Sequence, residues 1–168
     1  MRNGILAAAF VVSACASSTD AQSRDALVGT WKLVSATNTM ENGQVVENAY
    51  GQNPTGFLTY TSDGRMMGII SNGGRKPMSA PPVPVQERAE AFSTFLAYAG
   101  RYTVSGNRVI HHVEAAWRQD WVNTDQVRFM NLQGNRVTLR TPQLVIRNGA
   151  RASQELVWER IASIPIAH

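Results

Sequence analysis

Two adjacent histidines, His111 and His112, followed by Glu114, are the residues of this chain whose types and spacing most directly suggest chemistry. Imidazole nitrogens bind transition metals and act as general acids or bases near neutral pH. A zinc site, however, needs three protein ligands and usually a fourth. The third histidine is His168, the last residue of the sequence, and the single cysteine, Cys15, lies near its start. The sequence therefore predicts no metal site.

The element that carries the two histidines decides whether they can act together. The stretch NRVIHHVEAAW, residues 107–117, is typical of a β-strand. Alternate side chains of a strand face opposite sides of the sheet. One face would carry Val109, His111, Val113, Ala115 and Trp117, and the other Arg108, Ile110, His112, Glu114 and Ala116. A regular strand thus separates the imidazoles, and only a β-bulge, which nothing in the sequence requires, would bring both to one face.

Each histidine keeps two interpretations. His111, on the more apolar face, is either a core histidine bonded to a neighbouring hydroxyl or carbonyl group, or a polar anchor or general acid/base in a ligand cavity. His112 is either a surface residue paired with Glu114 or the histidine that faces the cavity. We expect His111 to face the cavity, and it is the candidate catalytic residue. The motifs G-x-S-x-G, G-x-G-x-x-G and H-E-x-x-H and a P-loop do not occur, and the sequence predicts no cofactor.

From Leu27 onward, short segments of β-branched and aromatic residues alternate with turn residues. Two-residue turns that suit hairpins lie between several segments: Asn42-Gly43, Asp63-Gly64, Gly106-Asn107 and Gly134-Asn135. About eight or nine such segments predict a closed antiparallel barrel or a sandwich. A barrel leaves no exposed strand edge, and eight strands enclose room for side chains or one small ligand.

One segment interrupts the strands. The stretch PVQERAEAFSTFLAYA, Pro84 to Ala99, places Phe92, Phe95 and Leu96 at helical spacing and predicts a helix. It follows the proline-rich stretch KPMSAPPVP, which cannot pair in a sheet. The loop and the helix together are either a lid over the mouth of the barrel or a plain connector.

Alternation within other strands predicts which side chains are buried. Val137 and Leu139 share one face of RVTLRT and should point into the core. In QVRFMN, Arg128 lies opposite Val127 and Phe129. Arg128 is then a surface cation or, if the faces are inverted there, a buried anchor for an anion.

The N-terminal residues have the pattern of an export signal. Arg2 precedes a largely apolar run from Gly4 to Ala14, which is too short to span a bilayer. Cleavage after Thr19-Asp20-Ala21 would release a soluble protein. The alternative is a bacterial lipobox, Val12-Ser13-Ala14-Cys15, in which Cys15 becomes a lipidated N-terminus. Either pattern predicts an exported protein that is periplasmic, membrane-anchored or secreted.

Composition and charge fit one globular domain behind that signal. We expect residues 1–22 to be signal and tether, and residues 23–168 to be the domain. A hydrophobic content of 43% and a charged content of 17% exclude a disordered or fibrous chain. The formal charge of +4 comes from scattered basic residues with no run of five like charges. This pattern indicates a solvated basic surface and no nucleic-acid partner.

The first and last strands carry residues that resemble a known family. Gly29-Thr30-Trp31 opens the first strand, and Trp158-Glu159-Arg160 closes the last. With YGQNPTGFLTYTSDGRMM, FLAYAGRYTV, IHHVEAAW and DQVRF between them, the chain from Leu27 to Ile161 resembles the bacterial and fungal lipocalin-like domain family. The resemblance implies an all-β, eight- to ten-stranded antiparallel up-and-down barrel of calycin type, with an internal pocket and one helix inserted mid-chain. It also implies that Trp31 and Arg160 close the barrel, with the cation packed across the indole ring.

The resembling segments hold the candidate ligand-binding residues: Tyr60, Tyr98, Tyr102, His111, Trp117, Trp121 and Arg128. For each aromatic residue, core packing is the alternative. The first predicted function is an exported barrel that binds a small hydrophobic or aromatic molecule. The second is an isomerase or cyclase in which His111, with Tyr60 or Tyr102, moves a proton. The third is a structural envelope lipoprotein whose cavity is filled by its own side chains.

Overall fold

Antiparallel strands form one continuous sheet in the computed structural model, which describes residues 15–146 and 149–162. The strands are β1 (Gly29–Met40), β2 (Val45–Val46), β3 (Thr55–Tyr60), β4 (Arg65–Ser71), β5 (Phe95–Ser105), β6 (Arg108–Ala116), β7 (Asp125–Gln133), β8 (Arg136–Arg140), β9 (Leu144–Val145) and β10 (Arg151–Arg160). The helices are α1 (Cys15–Leu27) and α2 (Val85–Ser93), with a 3₁₀ turn at Gln119–Trp121.

The sheet closes on itself to form a barrel. Its strand order is β2-β1-β3-β4-β5-β6-β7-β8-β10-β9, and β1 also pairs with β10. That pairing runs from Trp31 opposite Arg160 to Met40 opposite Ala152. Strands β2 and β9 have only two residues each and pair with the ends of β1 and β10, so the other eight strands form the barrel wall. The predicted all-β antiparallel barrel is confirmed, and closure removes the edges that an open sheet would expose.

The predicted hairpin turns connect consecutive strands of the wall. Asp63-Gly64 joins β3 to β4, Gly106-Asn107 joins β5 to β6, and Gly134-Asn135 joins β7 to β8. Gly64 has a φ of 88°, a left-handed conformation that a side chain would disfavour. Short turns of this kind give the up-and-down order in which each strand pairs with its sequence neighbour.

Strand alternation fills the barrel interior with apolar side chains. Val137 and Leu139 are buried, whereas their neighbours Arg136 and Arg140 are exposed, as the sequence predicted. On β1, Trp31 is fully buried.

Two β-bulges change which residues face inward. The β5–β6 register shifts so that Ala99 pairs with Ala115 while Gly100 pairs with Val113, which leaves Glu114 as an extra residue. Ala115 is therefore exposed and Ala116 packs against the core, so the predicted inward position of Ala115 is wrong. A Cβ atom at residue 100 would overlap the carbonyl oxygen of His112, so this bulge requires Gly100.

The second bulge lies on β1. The register between β1 and β10 shifts between Leu33 and Ser35. Beyond the shift, Ala36 and Asn38 are buried, although strict alternation from Leu33 would turn both outward. The bulge thus places one polar amide, that of Asn38, inside the barrel.

The inserted helix is shorter than the sequence predicted. Helix α2 spans Val85–Ser93, whereas Phe95 already begins β5. That strand pairs with β4 from Ser71 opposite Phe95 to Arg65 opposite Arg101. A full ladder of backbone hydrogen bonds and a buried face outweigh the helix propensity of these residues. The predicted helix over Phe95 to Ala99 is therefore wrong.

Helix α1 covers one end of the barrel. Leu27 at its C-terminus is fully buried, and Asp20 Oδ1 accepts a hydrogen bond from the Gly106 backbone N–H at 2.8 Å. Arg24 Nη2 donates to the carbonyl oxygen of Ser62 at 2.9 Å. The stretch predicted as a polar tether is therefore helical, while residues 1–14 of the predicted signal lie outside the described residues.

At the same end, Arg160 lies against Trp31. Its guanidinium carbon is 4.0 Å from the centroid of the indole ring. Arg160 also donates to the carbonyl oxygens of Ala26 and Val28, and Trp31 Nε1 donates to Leu27 O at 2.9 Å. The two residues thus join the first and last strands to the end of α1. No helix in the described part of the chain is long and apolar enough to cross a membrane.

Candidate ligand-binding site

A cavity of about 960 Å³ occupies the barrel interior. The lining extends to the last residues of β4, the first residues of β5 and helix α2. These elements lie at the end of the barrel opposite α1, which packs on the β3–β4 and β5–β6 turns. Most of the wall is apolar, with side chains such as Leu58, Ile70, Leu139 and Leu156. A cavity of this size accommodates a drug-sized molecule.

An unbroken row of rings runs from the cavity mouth to its floor. Trp117 packs edge-on against Trp121 with 4.8 Å between ring centroids, and Trp121 packs against Tyr98 at 5.5 Å. Tyr98 is 5.7 Å from the ring of His111, and that ring is 5.6 Å from Tyr60. Aromatic pairs at these separations stabilise one another beyond their area of burial.

The row ends below the cavity. The ring of Tyr60 is 4.7 Å from that of Tyr102, whose hydroxyl donates to Thr61 O at 3.1 Å. Tyr102 also lies 5.7 Å from the guanidinium carbon of Arg24 on α1. Tyr98, His111, Trp117 and Trp121 line the cavity, whereas Tyr60 and Tyr102 lie in the layer behind it. The six aromatic candidates from the sequence therefore form one contiguous row, and four of them line the cavity.

His111 is held between two tyrosines. It is only 1% exposed, with Nε2 at 2.7 Å from the Tyr60 hydroxyl and Nδ1 at 2.8 Å from the Tyr98 hydroxyl. Burial, and then the nearby charge of Arg128, hold the pKa of His111 well below its usual value. Burial also raises the pKa of Tyr60 and of Tyr98. The ring is therefore neutral near pH 7, and one of its nitrogens donates while the other accepts.

Arg128 points into the cavity. It pairs with inward-facing Val109 across β6 and β7 and is only 8% exposed. The face of β7 that carries Arg128 therefore points into the barrel, and the face that carries Val127 and Phe129 points outward. The interpretation of Arg128 as a surface cation is wrong. Phe129 instead faces outward, where Arg140 covers its ring with 5.6 Å between guanidinium carbon and centroid.

The guanidinium of Arg128 is close to the tyrosine–histidine cluster. Its Nη1 donates to Val127 O at 2.9 Å. Its charge lowers the pKa values of Tyr98 and His111, against the effect of burial in the case of Tyr98. No carboxylate of the described residues forms an ion pair with Arg128.

Next to Arg128, the polar side chains of Thr141, Gln154 and Asn38 form a belt across the neighbouring strands. Thr141 follows Arg140, the partner of Phe129, and so lies beside Arg128. Thr141 Oγ1 accepts from the Gln154 backbone N–H at 2.9 Å. Within the described ranges, the buried polar residues are His111, Arg128, Asn38 and Thr141, and all four line this cavity.

Gln154 links the belt to the loop above it. Its Nε2 donates to Asn38 Oδ1 at 3.1 Å, and its Oε1 accepts from the Tyr50 hydroxyl at 2.8 Å.

The sequence analysis did not assign Gln154 or Asn38 to the site. Gln154 could have been found, because Glu155 and Glu159 mark the outward face of β10. Asn38 could not, because only the β1 bulge turns it inward.

Trp158 is another cavity residue that the sequence analysis did not assign to the site. Its side chain lines the cavity and is only 4% exposed. Its indole Nε1 is buried and, among the described side chains, is the polar atom left without a hydrogen-bond partner. An indole N–H can only donate, so it lacks an acceptor.

His112 lies on the outer wall, away from the cavity. Its Nδ1 is 2.7 Å from Asp125 Oδ1 and its Nε2 is 2.9 Å from Thr103 Oγ1. The predicted pairing with Glu114 is wrong, because the bulge turns that carboxylate toward Arg65 and Arg101. Of the two adjacent histidines, His111 is thus the one at the cavity. In the described chain, no group of three His, Cys, Asp or Glu residues is placed to hold a metal ion.

Comparison with known proteins gives two similarities. The sequence model of a family described as a lipocalin-like domain matches residues 28–161. A 4'-hydroxy-3'-methoxypropiophenone carrier protein of Aspergillus oryzae is 32% identical over 84 residues, which is 45% of this chain and 76% of the relative. The family match covers the strands of the barrel from the start of β1 to the end of β10.

Proposed function

This chain belongs to the lipocalin-like domain family, and we propose that its barrel is a carrier for a small hydrophobic, aromatic molecule. The observation that carries the proposal is the cavity, which is open at one end and lined by the rings of Tyr98, Trp117 and Trp121. Such rings give a planar ligand a large contact area at little entropic cost, and the few polar groups beside them would fix its orientation.

The relative supports an aromatic ligand. Its name describes a carrier of an aryl ketone that bears a hydroxyl and a methoxy group on the ring. The cavity of about 960 Å³ has room for a molecule of that kind, and its lining combines rings of the aromatic row with apolar side chains such as Leu139 and Leu156. The third predicted function, a barrel filled by its own side chains, is disfavoured because the interior contains about 960 Å³ of space.

The arrangement of His111 favours carriage over proton transfer. Both ring nitrogens already bond to tyrosine hydroxyls, so neither nitrogen is directed at a ligand atom. A general base must lie within hydrogen-bonding distance of the proton that it removes. For an isomerase or cyclase, Tyr98 would have to relay the proton, and burial raises the pKa of that hydroxyl.

Calorimetric titration with small aryl ketones and other substituted arenes tests the proposal, with tryptophan fluorescence as a second signal. We expect one saturable site with a negative heat-capacity change, because apolar surface is buried. A cavity-blocking variant, Thr141→Trp, should abolish binding, and Thr103→Trp on the outer wall is its matched control. If no arene binds to the folded wild-type protein, or if Thr141→Trp binds as the wild type does, the carrier proposal is wrong.

We also propose that the protein is exported. The support is in the sequence: Arg2 precedes the apolar run from Gly4 to Ala14. If Cys15 is the lipidated N-terminus, the mature chain keeps all of α1, including the contact of Asp20 with Gly106. Cleavage after Ala21 would remove that contact.

Mass spectrometry of the mature protein, purified from fractionated bacteria, distinguishes the two forms. A lipidated N-terminus at residue 15 that is lost in Cys15→Ser indicates the lipobox, and an N-terminus near residue 22 indicates soluble export. An intact Met1 in the cytoplasmic fraction of cells that process a control signal peptide would contradict export.

A further inference from the structure

Arg128 puts an uncompensated positive charge inside the barrel. A guanidinium remains protonated at any physiological pH. The other charged residues that line the cavity, Arg118 and Asp120, bond to each other at its mouth. Since no carboxylate of the described residues pairs with Arg128, its charge lacks a counterion from this part of the chain. A buried charge without a partner is costly, so a ligand that supplies a counterion gains affinity.

The side chains around Arg128 cannot supply that counterion. The pKa of Tyr98 is raised by burial, which exceeds the opposing effect of Arg128, so its hydroxyl stays neutral near pH 7. The same holds for Tyr60 behind it, and His111 is neutral. Thr141 and Gln154, on the other side of Arg128, are uncharged. Among the residues that the structure describes, the site is therefore basic and has no anionic side chain.

A buried donor in the same cavity lacks a hydrogen-bond partner. The indole N–H of Trp158, on β10, has no acceptor among the described residues, although the ring is almost fully buried. Leaving a buried donor unpaired costs free energy that a ligand acceptor would recover. A cation without a counterion and an N–H group without an acceptor thus line a cavity whose mouth is made of aromatic rings.

On these grounds we propose that the ligand is an aromatic molecule with an anionic oxygen, a phenolate or a carboxylate. That oxygen binds to Arg128, a ketone or second oxygen accepts from Trp158 Nε1, and the ring packs beside Tyr98 and Trp121. The inference rests on the proposed carrier function and specifies its ligand class. Charge-assisted hydrogen bonds to a guanidinium are the strongest kind available to such a ligand.

Matched probe pairs test the charge. One pair is 4'-hydroxy-3'-methoxypropiophenone and its 4'-methyl ether, and the other is 3-methoxybenzoate and its methyl ester. We expect the ionised member of at least one pair to bind about 10- to 100-fold more tightly than its neutral partner. The pair that shows the preference identifies the anion as phenolate or carboxylate.

Three variants locate the interaction. Arg128→Met should remove the preference for the anion by weakening the binding of the ionised member of the pair, and Arg128→Lys should retain part of that preference. Arg140→Met is the matched control, because Arg140 lies on the adjacent strand but faces solvent, and it should bind as the wild type does. Trp158→Phe keeps an aromatic ring but removes the donor, and should weaken every probe that carries a carbonyl by about three- to tenfold.

A spectroscopic signal reports the charge directly. The bound phenol should ionise at a lower pH than the free phenol, seen as the phenolate absorption band, and Arg128→Met should abolish that shift. Circular dichroism and thermal melts confirm that each variant is folded. If neutral probes bind as tightly as ionised ones and Arg128→Met changes neither, the ligand class is wrong while the carrier function stands. If no probe of either kind binds to the folded wild type, the carrier function itself fails.

Discussion

The hydroxyl oxygen of Tyr60 lies 2.7 Å from Nε2 of His111, where both side chains are about 1% exposed. Tyr60 belongs to β3 and His111 to β6, so the bond crosses the barrel interior rather than joining adjacent strands. Together with the hydrogen bond between His111 Nδ1 and the Tyr98 hydroxyl, it links strands β3, β5 and β6 through buried side chains at the bottom of the cavity. Buried hydrogen bonds of this kind fix one arrangement of a core, because breaking either of them leaves a polar atom without a partner.

Removal of the Tyr60 hydroxyl should therefore reduce stability more than ligand binding. Tyr60→Phe leaves Nε2 of His111 buried and unpaired, and we expect the free energy of unfolding to fall by about 1–3 kcal/mol. Because Tyr60 does not line the cavity, ligand affinity should change by less than about threefold. Urea unfolding and calorimetric titration measure the two effects. Tyr98→Phe is the comparison, since Tyr98 lines the cavity and should affect both quantities.

The lowered pKa of His111 predicts a pH dependence of stability. In the unfolded chain the imidazole titrates near pH 6.5, while in the folded protein it stays neutral to a lower pH. Above pH 6.5 both states are neutral and the histidine makes no pH-dependent contribution. As the pH falls below 6.5 the unfolded state binds a proton that the folded state does not, and stability falls by up to about 1.4 kcal/mol per pH unit.

Chemical denaturation at pH 7.5 and pH 5.5 measures this slope. His111→Gln should flatten it, because the variant has no imidazole at this position. An equal slope in wild type and His111→Gln would show that other groups account for the pH dependence.

The position of Arg128 illustrates how far sequence alternation could predict this site. Alternation correctly separated His111 from His112 and correctly placed Val137 and Leu139 in the core, since these segments follow a strict two-residue period. It could not decide which face of β7 is inside. The apolar side chain of Phe129 suggested that its own face points inward. The pairing of Arg128 with Val109, which is a nonlocal contact, instead turns the face of Arg128 inward.

Bulges limited the prediction in a different way. The turn dipeptides and the resemblance were sufficient to predict the barrel, because hairpin geometry is encoded locally. A one-residue bulge depends instead on the partner strand and inverts every position beyond it. For that reason the inward position of Asn38 and the exposure of Ala115 were not readable from their own segments.

The contact between Arg160 and Trp31 should be a main source of stability at the α1 end. Arg160→Met removes the cation from the indole ring and the donors to the carbonyls of Ala26 and Val28. We expect a loss of about 1–3 kcal/mol in the free energy of unfolding, measured by denaturant titration. Arg136→Met is the control, because its ion pair with Glu159 is exposed and should contribute little. Equal effects of the two substitutions would contradict a special role for Arg160.

Phe92 on α2 is predicted to slow the release of a ligand. Its side chain is 55% exposed and yet lines the cavity mouth, so it covers the opening without belonging to the core. Phe92→Ala should leave the free energy of unfolding nearly unchanged and raise the ligand dissociation rate by about three- to tenfold, since it removes a contact that must separate before the ligand leaves. Val85→Ala is a matched control on the same helix, because Val85 is 70% exposed and lies outside the lining. Stopped-flow displacement, followed by tryptophan fluorescence, gives both rates. If Phe92→Ala and Val85→Ala release the ligand at the wild-type rate, then α2 is a connector and not a lid.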